Sequence, residues 1–142
     1  MDTAEIKRRV TRTIAEAKAA AIVRRERAAV ADIAGRDALV RLVKPIARTV
    51  AAALTAEGYR CSVATPVGAV RLSFESSRDD YIEVALDTTS DPPALVGRTG
   101  RGRGSHVIRN EQTIAAHPAI TELTEEALLA FLLSEISPFV ER

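Results

Sequence analysis

Cysteine is nearly absent: Cys61 stands alone. That excludes an intramolecular disulfide and any metal site built from several cysteines. Tryptophan is missing, and the aromatic residues are limited to two tyrosines and three phenylalanines. The core is therefore expected to be aliphatic, with leucine, isoleucine and valine gathered around Phe74, Phe131 and Phe139. No apolar run approaches the ~18–20 residues of a membrane span. The first residues form a charged amphipathic stretch without an apolar h-region, so no signal peptide is read there. No membrane partner and a cytoplasmic location follow by default.

Net charge is also small, at +1 over 142 residues, but the charges are unevenly placed. Residues 1–60 carry 13 lysines and arginines against 7 carboxylates, and residues 98–109 carry 4 arginines against none. Residues 61–97 and 110–142 are acidic. Basic segments can attract a polyanion. They can equally neutralise acidic segments within the fold or between subunits.

The pattern of residues changes at Gly58. Before it the sequence reads as helix, rich in alanine and arginine; after it come short alternating strands and a last helix. The expected class is α+β: a long N-terminal helical arm, a second amphipathic helix, an antiparallel β-meander of four to five strands, and a C-terminal helix packed on one sheet face. Two units are expected, an arm over 1–35 and a two-layer head over 36–142.

Within the arm, Val10, Ile14, Ala17, Ala21 and Ala28 follow the spacing of a heptad seam, and Ile6 extends it. Arg24 interrupts the seam. A second stripe, Ile22, Ala29 and Ile33, faces elsewhere. A lone helix of this kind is marginal in water, so a partner is expected along the seam: a second copy, another protein, or the chain's own head. Gly35 reads as a break. Over 36–57, Leu39, Leu42, Val43, Ile46, Val50, Ala53 and Leu54 share a helical face, with a kink or fresh start expected at Pro45. Arg41, Lys44 and Arg48 form a basic ridge opposite.

Three strands follow by alternation: Tyr59–Ala64, Val70–Glu75 and Ile82–Asp87. Their polar face, with Arg71, Ser73, Glu75 and Glu83, is expected to be wet. A further hairpin is expected around the segment 97–105, read as a glycine–arginine loop. Glycines let a backbone come close to a ligand, and Arg98, Arg101 and Arg103 offer forks that match phosphate or carboxylate. The segment is no P-loop, because the Gly-Lys-Ser/Thr ending is missing. It also lacks the aromatics that stack unpaired bases. The last helix should begin at Thr124 as N-cap, with Leu128, Leu129, Leu132, Leu133, Ile136 and Val140 on its apolar face; Pro138 is read as bending or ending it.

No catalytic constellation is visible. Two separate histidines and one cysteine do not make a zinc site, and Asp79-Asp80 reads as a turn. The expectation is a non-enzymatic assembly protein, without cofactor or metal, that forms a homo-oligomer or docks on a partner protein through its N-terminal helix. The alternative is a nucleic-acid-binding accessory protein using the 97–105 segment and the basic helical surface.

Overall fold

The computed structural model of the chain describes residues 1–141; Arg142, the last residue of the expected head, lies outside it. The fold is α+β. A long N-terminal helix (α1, Thr3–Ala38) passes through one π-helical turn (Leu39–Val43) into α2 (Lys44–Ala56). Five strands follow: β1 (Cys61–Ala64), β2 (Ala69–Phe74), β3 (Tyr81–Asp87), β4 (Ala94–Arg103) and β5 (His106–Ala116). They form one antiparallel meander in the order β1-β2-β3-β4-β5. A short 3₁₀ turn (Ala119–Glu122) leads to α3 (Glu125–Val140).

The helix ends follow local chemistry. The Asp2 carboxylate accepts the Glu5 amide at 2.8 Å and caps α1, satisfying one of the free donors of a first turn. Gly58 takes the left-handed conformation, φ 94°, and ends the helical region. Thr124 caps α3 by accepting from the Ala127 amide at 3.1 Å, and Glu125 and Glu126 lie in the first turn, where the helix dipole favours negative charge. Pro138 does not end α3, which continues to Val140.

Two expectations about the long helix are corrected. Gly35 is no break: the helix passes straight through it. Glycine suits the contact there: an added Cβ would fall 2.5 Å from Leu86 Cδ1 and push that side chain aside. The break comes later, in the π turn, where the Lys44 amide donates to the Leu39 carbonyl five residues back. Pro45 follows at once, in the first turn of α2. The π turn inserts one residue into the helical phase. Ala31, Gly35 and Ala38 are buried before it, Leu39, Leu42 and Val43 within it, and Ala47, Val50 and Leu54 after it. Ala47 and Ala51 enter the core, and Ala53, expected on the buried face, is exposed.

One apolar cluster joins helix and sheet. It contains Leu39, Val43 and Val50 from the long helix, Leu72, Ile82, Val84 and Leu95 from the strands, and Leu128 and Leu132 from α3. Leu86, Ile46 and Ile136 are half-buried against it. The Phe74 and Phe139 rings stack at 4.4 Å, and Gly97 of β4 leaves room for the Phe131 ring. Leu129 and Leu133, read on the apolar face of the last helix, are exposed.

Candidate interaction surfaces

Burial along α1 is confined to its C-terminal end, at Ala31, Gly35 and Ala38. Ala28 and Ala21 are half-buried, and the chain before Ala21 is exposed apart from Glu5. Residues 3–24 thus extend roughly 33 Å of helix, at 1.5 Å per residue, with little covering. Ile6, Val10 and Ile14 remain 49%, 52% and 49% exposed. Ala17 and Ala21 continue their line, and Ala28, Ala31, Gly35 and Ala38 continue it further at the same spacing. The face that the head buries is therefore the same face that runs on, uncovered, toward the N-terminus.

The head's last contact with this face is the β3–β4 loop. Arg27 and Asp91 lie 3.8 Å apart, and a cleft of about 260 Å³ separates Ala21, Arg24 and Ala28 from Thr89, Asp91 and Pro93. Asp87 organises that loop: its carboxylate accepts from the Thr89 hydroxyl at 2.7 Å and from the Thr89 amide at 2.9 Å. These bonds hold its carboxyl below the ordinary range. The second stripe, Ile22 and Ile33, stays exposed, joined by Val40.

The outer face of the sheet is not simply wet. Arg71, Glu83, Arg98 and Glu111 face one another in register across four neighbouring strands. Arg71 Nε donates to Glu83 at 3.0 Å, and its guanidinium also covers the Tyr81 ring at 4.3 Å. Arg98 Nε donates to Glu111 at 2.7 Å, and its other nitrogen approaches Glu83 at 3.9 Å. Glu83, expected at the surface, is 5% exposed; the arginine stems on either side cover it. Beside this charged row, Ala69, Ala85, Ala94 and Val96 form a second small apolar cluster.

The glycine–arginine segment is also corrected. It is strand, not loop: β4 runs to Arg103, and only Gly104 and Ser105 form the turn to β5. Two of its glycines answer to packing. An added Cβ at Gly97 would lie 2.3 Å from Phe131 Cζ, and one at Gly100 would lie 2.3 Å from Tyr81 Cε1. Arg98 is committed to carboxylates, which raises its pKa, chiefly through the bond to Glu111. Arg101 and Arg103 lie beside Pro138. On the helix, Arg41 pairs with Asp37 at 3.1 Å, Lys44 is half-buried and Arg48 is exposed.

Asp80 is the polar residue that sequence reading missed in the turn before β3. It is 1% exposed, accepts from the Ser76 hydroxyl and from the Gly102 amide, each at 2.8 Å, and so ties the β2–β3 turn to β4. Burial pushes the Cys61 thiol up to about 11, which suits a packing residue rather than a nucleophile. His106 opens β5 and is exposed. Among the described residues no group of three or more His, Cys, Asp or Glu could hold a metal ion, and no helix is long and apolar enough to cross a membrane. Comparison with protein-family models, curated proteins and solved structures finds no match to this chain.

Proposed function

We propose that this chain is a non-enzymatic assembly protein that associates with a second copy through the uncovered face of α1. One observation carries the reading: the face buried by the head at Ala28–Ala38 continues, past the half-buried Ala21, uncovered through Ala17, Ile14, Val10 and Ile6. An isolated helix of such length gains little by standing alone in water. Bulky residues occupy the N-terminal half of the seam and alanines the C-terminal half. An antiparallel pair sets bulky against small, which fills the seam; a parallel pair leaves a gap between alanines. Docking on a different protein is the second form of the same idea.

Salt separates the two. Residues 2–27 carry 8 lysines and arginines against 4 carboxylates. Two copies therefore repel at low ionic strength, and their association should strengthen as salt screens them. Docking on an acidic partner should weaken instead. The experiment is a mass measurement by analytical ultracentrifugation at micromolar concentration and two salt concentrations. Wild type should exceed one chain, and Ile14→Asp with Ala21→Asp should weaken the arm contact, because both charges enter the seam. A double variant that associates as strongly as wild type overturns this reading.

The alternative, a polyanion-binding accessory protein, has lost part of its support. Arg98 bridges Glu83 and Glu111, and Arg41 pairs with Asp37. What favours it is the basic excess of the arm. It requires binding to random-sequence duplex or single strands that falls linearly with salt in log–log terms.

A further inference from the structure

The sheet ends on an open strand. β5 is last in the strand order and residues 109–113 are exposed. The other edge, β1, has 4 residues, whereas β5 has 11. A long free edge is a template for pairing, and proteins commonly blunt it with a bulge, a proline or charges of one kind. From His106 to Gln112 the register against β4 is unbroken and there is no proline. The two charges on this stretch, Arg109 and Glu111, are opposite in sign.

The hairpin turn fixes which backbone groups point outward. Gly104, with φ 64°, is the first of two turn residues between the paired Arg103 and His106. That suits a type II′ turn, whose closing bond runs from the His106 amide to the Arg103 carbonyl. Groups alternate along an antiparallel ladder. The backbone groups of 106, 108, 110 and 112 then face β4, and those of Val107, Arg109, Glu111 and Thr113 face the open edge.

We propose that β5 pairs antiparallel with β5 of a second copy, with Asn110 on the two-fold axis, joining two sheets into one. Outward-facing groups must meet outward-facing groups, which leaves three registers near the middle of the strand. Two of them place Arg109 opposite Arg109 or Glu111 opposite Glu111, and like charges directly opposite are destabilising. The third places Asn110 opposite Asn110 and Arg109 opposite Glu111, twice. It also extends a pattern already in the sheet. The row Arg71, Glu83, Arg98, Glu111 alternates in sign across β2 to β5, and Arg109 of the second copy is the next member of that row. This seam lies on the sheet edge and goes beyond the arm contact, on which it does not depend.

The test uses the full chain carrying Ile14→Asp and Ala21→Asp, so that the arm seam is disabled. In this background sedimentation should still show a dimer. Arg109→Glu or Glu111→Arg alone puts like charges opposite each other twice, and each should weaken the dimer at least tenfold. An equal mixture of the two variants makes every cross-seam pair opposite in sign again and should restore the dimer. A second measurement changes no charge. Asn110→Cys, with Cys61→Ser, places two thiols at a non-hydrogen-bonded pair about 4.5 Å apart at Cα, within disulfide reach. It should cross-link under mild oxidation, and Arg109→Cys should not, because residue 109 meets 111. The proposal is overturned by a monomer that neither cross-links at 110 nor dimerises at hundreds of micromolar. It is equally overturned by a dimer indifferent to both charge reversals, or by single variants whose mixture restores nothing.

Discussion

Replacing Glu83 by alanine tests whether the charged row holds the sheet together. The carboxylate accepts from Arg71 at 3.0 Å and stands 3.9 Å from Arg98, and its side chain is 7% exposed. Removing it leaves two guanidinium groups on flanking strands without the charge between them. Removing one partner of a fully buried pair costs about 3–5 kcal/mol. Here the cost should be lower. Both arginines reach water, Arg98 keeps Glu111, and Arg71 keeps the Tyr81 ring. Loss of a charge-assisted hydrogen bond contributes about 1.5–3 kcal/mol, so a cost of about 2 kcal/mol is expected. Glu75→Ala is the control. Its pair with Arg60 is 3.7 Å long and its members are 61% and 77% exposed, and such pairs contribute about 0–1 kcal/mol. Urea unfolding at pH 7 and one fixed protein concentration reads both, since association would otherwise add to apparent stability. Equal losses for the two variants would refute the reasoning, because they would show that Glu83 is solvated like any surface carboxylate.

Two further outcomes follow from single residues. Gly97→Ala drives a methyl into the Phe131 ring and should cost about 1–3 kcal/mol by overpacking, a loss that Phe131→Leu in the same chain should partly relieve; additive losses in urea unfolding would contradict the contact. Cys61 has a folded-state pKa of about 11 against an ordinary 9.0, so burial disfavours its thiolate. The stability associated with the neutral thiol is complete below pH 9 and is lost as pH rises toward 11. Alkylation at pH 8 should be slower in the native chain than in urea by about a hundredfold, because thiolate fraction falls tenfold per unit of pKa; equal rates would show an open thiol.

Much of this fold is legible in the sequence because each element carries its own signal. Thr124 and Gly58 mark helix ends by their capping chemistry, and three strands follow from strict alternation. What escapes is whatever depends on contacts between elements. The π turn cannot be read from periodicity, since its effect is to break periodicity: Ala47 and Ala51 look like surface residues until the phase advances by one. The glycine–arginine segment misleads for a similar reason. Glycine there makes room for Phe131 and Tyr81 rather than for a ligand, and those rings come from distant parts of the chain. Glu83 shows the same effect in a strand. Alternation places it correctly on the outer face, but only the register with Arg71 and Arg98 shows that this face is partly closed. The arm is the opposite case. The heptad spacing is visible in the sequence itself, and Ile6, Val10 and Ile14, which lie along it, are exposed.

The two proposed seams together constrain the assembly. An antiparallel arm pair and a β5 pair are each self-complementary, so each is a two-fold contact using the same surface on both copies. A chain with two unlike two-fold contacts closes into a tetramer of D2 symmetry only if the two axes intersect at right angles. Axes that intersect at a smaller closing angle form a larger closed assembly, such as one of D3 symmetry, and axes that miss one another add chains alternately through arm and edge without stopping. The arm leaves the head near Ala28, whereas the edge is set by β5 at the far side of the meander from β1. Light scattering over a rising concentration series distinguishes the cases. A mass that stops at four chains places the axes in one closed assembly, and a mass that keeps rising shows an open array. In either case Arg109→Glu, which leaves only the arm, and Ile14→Asp with Ala21→Asp, which leaves only the edge, should each hold the chain at two copies. A wild type that never exceeds two chains would mean that one of the two seams does not form.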